Sequence, residues 1–109
     1  MATSFSHSAQ GLVLGTARTL IYGPVPAGQT AVIFSGLFPN IDSATKGMHS
    51  IILERYNGTT YQNLFQEIPI PYGSASKCPK VVLTAGETLY GTADAANSVT
   101  ASVEVMIRS

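Results

Sequence analysis

From Ser98 to Arg108 the chain reads SVTASVEVMIR, and its apolar residues fall on every second position. Val99, Ala101, Val103, Val105 and Ile107 share one side; Ser98, Thr100, Ser102, Glu104 and Arg108 share the other, with Met106 the apolar exception there. A strict period of two predicts a half-buried antiparallel strand. In QTAVIFSGLF the two alternating sets are Thr30, Val32, Phe34 and Ala31, Ile33, Ser35, Leu37. Both are rich in apolar residues, which predicts a central strand. SIILERYNGTTYQNLF predicts a hairpin about a two-residue type I′ turn at Asn57-Gly58, with Tyr56 opposite Thr59 and Glu54 opposite Tyr61. Further strands are expected in ARTLIY, KVVLT and ETLYGTA, and short ones at GLVL or EIPI. The prolines sit between these runs or at their ends, and Pro69 and Pro71 place EIPIPYG at an edge or in a crossing loop. No window carries a helical period; IDSATKGM has room for one turn, and TADAANS reads as a loop.

The phrase Ala-Gly-x-Thr occurs twice, as Ala27 to Thr30 and as Ala85 to Thr88. Each copy predicts a turn that ends on a left-handed glycine, Gly28 or Gly86, followed by a new strand. Roughly seven to nine short strands, with turn signals at about 8–12-residue spacing, predict an all-β fold: an antiparallel β-sandwich, jelly-roll-like. Residues 11–109 are expected to form this single domain, and residues 1–10, MATSFSHSAQ, a flexible N-terminal arm.

Composition narrows the role. Charged residues make up 11% of the 109-residue chain, against roughly 25% in ordinary soluble domains. Six basic and six acidic side chains give a formal charge of zero. A surface so poor in charge suits one normally covered by other protein. Arg18, Lys46, Arg55, Lys77, Lys80 and Arg108 are scattered, so no basic patch for nucleic acid is expected. No apolar run approaches the ~18 residues of a membrane span. MATSFSHSAQ lacks the basic start and apolar run of a secretory signal, so synthesis in a cytoplasm is expected. With one cysteine, Cys78, neither an intrachain disulfide nor a cysteine-based zinc site can form.

Candidate chemistry is sparse. His7, His49, Asp42 and Asp94 are the residues from which a His/carboxylate metal site would be built, but no ligand spacing joins them in sequence. YGSAS resembles the start of a nucleophile elbow without its second glycine. Cys78 lies between Lys77 and Lys80, whose charges favour a thiolate, although a small buried thiol is the commoner reading. Glu54, Glu67, Glu87 and Glu104 supply carboxylates for a glycosidase pair, and a solvated face explains Glu54 and Glu104 equally well. Asn57-Gly58-Thr59 matches a glycosylation sequon that a cytoplasmic chain would not use. No catalytic residue, cofactor or metal site is expected, and the chain does not read as an enzyme.

The order of its short motifs is nonetheless informative. A VPAG-x-T turn (Val25 to Thr30), an IPYGSAS segment (Ile70 to Ser76), an L-x-x-GE-x-L turn (Leu83 to Leu89) and a closing V-x-A-S-V-E strand (Val99 to Glu104) resemble the small β-sandwich virion proteins of tailed bacteriophages. The likeness covers most of the chain after Gly15. It implies a virion role on the capsid surface, most like the decoration (cement) proteins that clamp neighbouring major capsid protein subunits as homodimers or homotrimers. Within that role the N-terminal arm would bind a partner, with Ala2, Phe5 and His7 as its contact residues. Two other roles remain open at this point: a head–tail or tail component forming a ring, and a carbohydrate- or receptor-binding jelly roll. In the latter, Tyr22, Tyr56, Tyr61, Tyr72 and Tyr90 would have to provide the platform.

Overall fold

A computed structural model describes residues 3–66 and 70–108, with backbone alone for residues 3–9 and 65–66. Nine strands follow in order: β1 (Thr3–Val13), β2 (Thr19–Tyr22), β3 (Thr30–Pro39), β4 (Ile51–Tyr56), β5 (Tyr61–Gln66), β6 (Ala75–Lys77), β7 (Val81–Thr84), β8 (Thr88–Ala93) and β9 (Thr100–Arg108). One sheet runs β1-β9-β3-β6, with β7 also on β3; the other runs β2-β8-β4-β5. Every pairing is antiparallel. With β6 and β7 counted as one broken strand, this is the order of a jelly roll. No helix occurs among the described residues.

The core lies between the sheets. The inward set expected on β9 is inward: Val99, Ala101, Val103 and Val105 are buried, packed with Ala31, Ile33 and Phe38 of β3 and Ile51 and Leu53 of β4. The first change of sheets, from β1 to β2, is a tight corner. Leu14 donates its N–H to Val99 in the first sheet (3.0 Å), and the next carbonyl, on Gly15, accepts from Ala93 in the second (2.9 Å).

The two Ala-Gly-x-Thr phrases are turns as expected. Gln29 N–H donates to Pro26 O and Glu87 N–H to Thr84 O, each turn carrying its glycine at positive φ, 79° at Gly28 and 85° at Gly86. The segment before the first turn is also bonded to the second. Val25 N–H donates to Glu87 O at 3.0 Å, and Gly86 N–H donates to Val25 O at 2.8 Å. The repeated phrase marks one end of the sandwich, where the two sheets are joined through their turns.

Two sequence expectations are corrected. The hairpin loop has four residues, not two: Tyr56 pairs with Tyr61 and Glu54 with Asn63. Gly58 is at positive φ but Asn57 is not, because the Asn57 Oδ1 accepts from both Thr59 and Thr60 N–H at 2.9 Å and closes a wider loop. On β3 the alternation shifts register between Ile33 and Ser35, so Leu37 is exposed, away from the side that buries Ala31 and Ile33. The segment YGSAS, an incomplete nucleophile elbow in sequence, leads into β6, antiparallel to β3. Of the EIPI segment only Ile70 is described, bridged to His49; Glu67, Ile68 and Pro69 lie outside the described residues.

Gly36 sits at the shifted register for reasons of space. A Cβ there would lie 2.8 Å from the Ser102 carbonyl oxygen and 2.9 Å from side-chain carbons of Cys78 and Val103. Around Gly86 nothing lies within 4 Å of such an atom. Gly86→Ala is therefore expected to cost about 1–2 kcal/mol, from conformation alone. Gly36→Ala is expected to cost up to ~3 kcal/mol, from overpacking. Urea unfolding with an unchanged m-value checks both; equal costs would show that the Gly36 site relaxes freely.

Candidate functional site

At the end of the sandwich away from the Ala-Gly turns, the loops 40–50, 70–74 and 94–98 meet over the strand ends. They are knitted by one buried amide and one imidazole. Asn40 is 3% exposed. Its Nδ2 donates to Gly47 O (2.8 Å) and Ile70 O (2.7 Å), its Oδ1 accepts from Asp42 N–H (3.0 Å), and its own N–H donates to Ser74 O (3.0 Å). Buried polar groups need such partners, and this residue has them on two of the loops. The IDSATKGM segment makes one turn: Lys46 N–H donates to Asp42 O, and Thr45 donates through its N–H and its hydroxyl to the Asp42 carboxylate.

His49 fastens this loop to the β8–β9 connection. Its Nε2 lies 2.7 Å from Asp42 Oδ2 and its Nδ1 2.9 Å from Asp94 Oδ1. A neutral imidazole has one N–H, so two ionised carboxylates are both satisfied only by the imidazolium. The bond to Asp42, helped by Asp94, raises the His49 pKa against some loss from burial. Asp42 falls to about 2, mainly through its bonds to Thr45 and His49. Of the four residues set out as a metal-site candidate, the fold brings together His49, Asp42 and Asp94, while His7 lies on β1 opposite Glu104 in the β1–β9 ladder. With a carboxylate on each ring nitrogen, the arrangement is a latch. Among the described residues no group of three or more His, Cys, Asp and Glu could hold a metal ion.

The latch displays an apolar tip. Ile41, Met48 and Tyr72, on the loops it braces, are exposed, Met48 by 64%. Sequence reading grouped His49, Asp42 and Asp94 as metal-site candidates but missed Asn40 and the tip, because these residues come together only in the fold, His49 and Asp94 being 45 residues apart. The Asp42-x-x-Thr45 spacing was the one local signal, a side chain positioned to cap its own turn.

The other candidates are dispersed. Glu54 is on the sheet opposite Glu104, and its carboxylate is held by Arg18 at 3.0 and 3.1 Å. Glu87 caps Thr84 N–H at 2.7 Å, and Glu67 lies outside the described residues. Burial raises the Cys78 thiol to about 11, which overrides the flanking lysines and keeps it protonated. Tyr56, Tyr61 and Tyr90 cluster on the outer face of the β2-β8-β4-β5 sheet. Tyr61 stacks on Tyr56 at 4.4 Å and takes the Arg18 guanidinium at 3.6 Å over its ring. Those two contacts need opposite ring faces, which leaves none on Tyr61 for a sugar. The proposed arm enters the fold as the start of β1: Phe5 lies opposite Met106 in the ladder and His7 opposite Glu104, their side chains and all of Ala2 being outside the described residues.

No protein-family model matches the sequence, and no curated protein sequence matches it. Solved structures match it by fold. A chain of the Bacillus endospore appendages, a family of disulfide-linked pili, aligns with TM-score 0.61 at 13% identity over 98% of this chain and 88% of its own. Two pentameric capsid proteins from metagenomic phage sequences align with TM-score 0.47 at 20% and 17% identity. Both alignments cover 85% of this chain, which spans 57% and 61% of those longer proteins.

The latch makes stability depend on pH with a definite sign. The raised His49 contribution is complete below its ordinary 6.5 and is lost as pH rises through the higher folded value. The lowered Asp42 contribution is complete above its ordinary 3.8 and is lost as pH falls towards about 2. The latch is therefore strongest between about pH 4 and 6.5. Thermal melts should show Tm falling from pH 6 to pH 9, and His49→Gln should flatten that slope. An unchanged slope in the variant would remove the latch as its source.

Proposed function

We propose that this chain is a structural protein of a bacteriophage particle, a decoration protein that seats on the outside of the head and clamps neighbouring major capsid protein subunits. The observation that carries the reading is the braced apolar tip. Ile41, Met48 and Tyr72 stand out from a jelly roll whose loops are locked by Asn40 and His49. Exposed apolar and aromatic side chains held rigid are what a protein-docking site needs, because little entropy is lost on binding. The order of turn and strand motifs from Val25 to Glu104 supports the phage assignment, and the charge content of 11% supports a surface normally covered by protein.

The fold likeness to a pilus chain favours a second reading, a subunit of a filament or ring. A fold hosts many functions, and the chemistry here differs from that protein in one respect. A covalent chain of disulfide-linked subunits needs at least two cysteines per subunit, and this chain has one, Cys78, half-buried. A filament of this protein would be held by packing alone.

The test is co-sedimentation of the purified protein with undecorated heads. Binding is expected, with Met48→Asp and Tyr72→Ala each weakening it roughly tenfold. Failure of the unaltered protein to bind any head preparation, together with filaments or rings in electron micrographs, would favour the second reading.

A further inference from the structure

The ties that hold the tip are not equally permanent. Most are backbone or amide bonds that no change of protonation touches. His49 is pinned through its main chain: its N–H donates to Ile70 O at 3.2 Å, and its carbonyl accepts from Ile70 N–H at 2.6 Å. Met48 stands between two fastened residues, His49 and Gly47, whose carbonyl takes the Asn40 amide at 2.8 Å. The β8–β9 connection meets the 40–50 loop at two backbone bonds, Asp94 N–H to Ser50 O at 3.1 Å and Ile41 N–H to Ser98 O at 2.8 Å. The side-chain tie between these loops is different in kind. It is the His49 ring, which joins Asp42 to Asp94 only while both of its nitrogens carry hydrogen.

Loss of one proton forces a choice between the two carboxylates, and their surroundings decide it. The Asp42 side chain is 14% exposed and is held also by the N–H and hydroxyl of Thr45. The Asp94 side chain is 44% exposed, and among the described residues its carboxylate bonds to His49 alone. A nitrogen lone pair repels a facing carboxylate, and the carboxylate that water can reach gives way at the lower cost. The neutral ring therefore keeps its N–H on Asp42 and releases Asp94. On the three segments around the ring the charged and titratable groups are Asp42 and Lys46 of its own loop, Tyr72 of the 70–74 segment, and Asp94. Of these the two carboxylates bond to it. The bond to Asp42 raises the pKa of the ring, burial opposes, and Asp94 adds to the rise, so the change of state lies above 6.5.

We propose that the proton on His49 is a switch for the tip: with it, the two loops are joined and Ile41 and Met48 are held for docking; without it, Asp94 turns out to solvent, the joint opens and the tip loosens. This adds a regulation to the docking role proposed above and rests on that role. When only the joined form docks, apparent affinity follows the protonated fraction and falls by up to about tenfold per pH unit above the transition. By reciprocity, docking holds the proton in place.

Two measurements on the full chain test this. The first needs no partner: the mobility of the Ile41 and Met48 methyl groups, from NMR relaxation, is followed from pH 6 to pH 9 beside the titration of the His49 ring, with the Met106 methyl as control. Mobility at the tip is expected to rise through the His49 midpoint, and Met106 not to follow it. In Asp94→Asn a neutral ring can donate to Asp42 and accept from the new amide, so the joint should survive and the tip stay rigid. Tip methyls indifferent to the His49 titration, or equally responsive in Asp94→Asn, would overturn the proposal. The second is co-sedimentation with undecorated heads. Binding by the unaltered chain should weaken roughly tenfold from pH 6 to pH 9, while Asp94→Asn binds equally at both. Equal binding of the unaltered chain at both values, or an equal fall in Asp94→Asn, would break the link to docking. Absence of head binding at either pH defeats the decoration role, and the methyl measurement still decides the switch.

Discussion

Most of this molecule depends on how β3 is bent. That strand lies between β9 on one side and two short strands on the other, β7 against its first half and β6 against its second. The break comes at Phe34 to Gly36, where the ladder to β9 shifts register and the Gly36 carbonyl accepts from Cys78 N–H at 2.9 Å. Cys78-Pro79-Lys80 is the span in which the neighbouring strand is interrupted, and proline there cannot donate to a ladder. One bulge thus divides a single jelly-roll strand into β6 and β7 and turns Phe38, fully buried, into the core. It also presents Leu37 on the outer face. A bulge re-aims side chains by adding one residue to a period of two, and here it decides which apolar residues hold the domain together and which are left exposed.

Legibility in the sequence followed the range of the interaction. β9, the turns at Gly28 and Gly86 and the strand after each are set by period-two patterning and by glycine at positive φ, both local, and all are found as expected. The hairpin at Asn57 was legible as a hairpin but not in its length, because the Asn57 side chain competes with the type I′ geometry by accepting two backbone N–H groups. The β3 shift was hidden, since QTAVIFSGLF is apolar in both phases and alternation alone cannot say where the phase changes. β6 was hidden too: Ala75–Lys77 is three residues without a period, and it becomes a strand because β3 is already there to pair with it. At the loop end the sequence offered His49, Asp42 and Asp94 only as a loose set with no joining spacing, because they meet, with Asn40 and Ile70, only after the sheets have formed.

The latch and the faces describe one design at different scales. Polar side chains are spent where loops must be rigid: Asn40 ties two loops, and His49 holds two carboxylates. On the β2-β8-β4-β5 sheet, Arg18, Glu54 and the tyrosines satisfy one another and need no partner. Among the described residues, exposed apolar side chains include those at the tip, Ile41, Met48 and Tyr72, and Leu37 and Val82 on the other sheet. A chain with so few charges has little else with which to keep copies apart. Exposed apolar side chains held on braced loops lose little entropy when another protein covers them, so rigidity at the loop end and exposure there belong to the same arrangement.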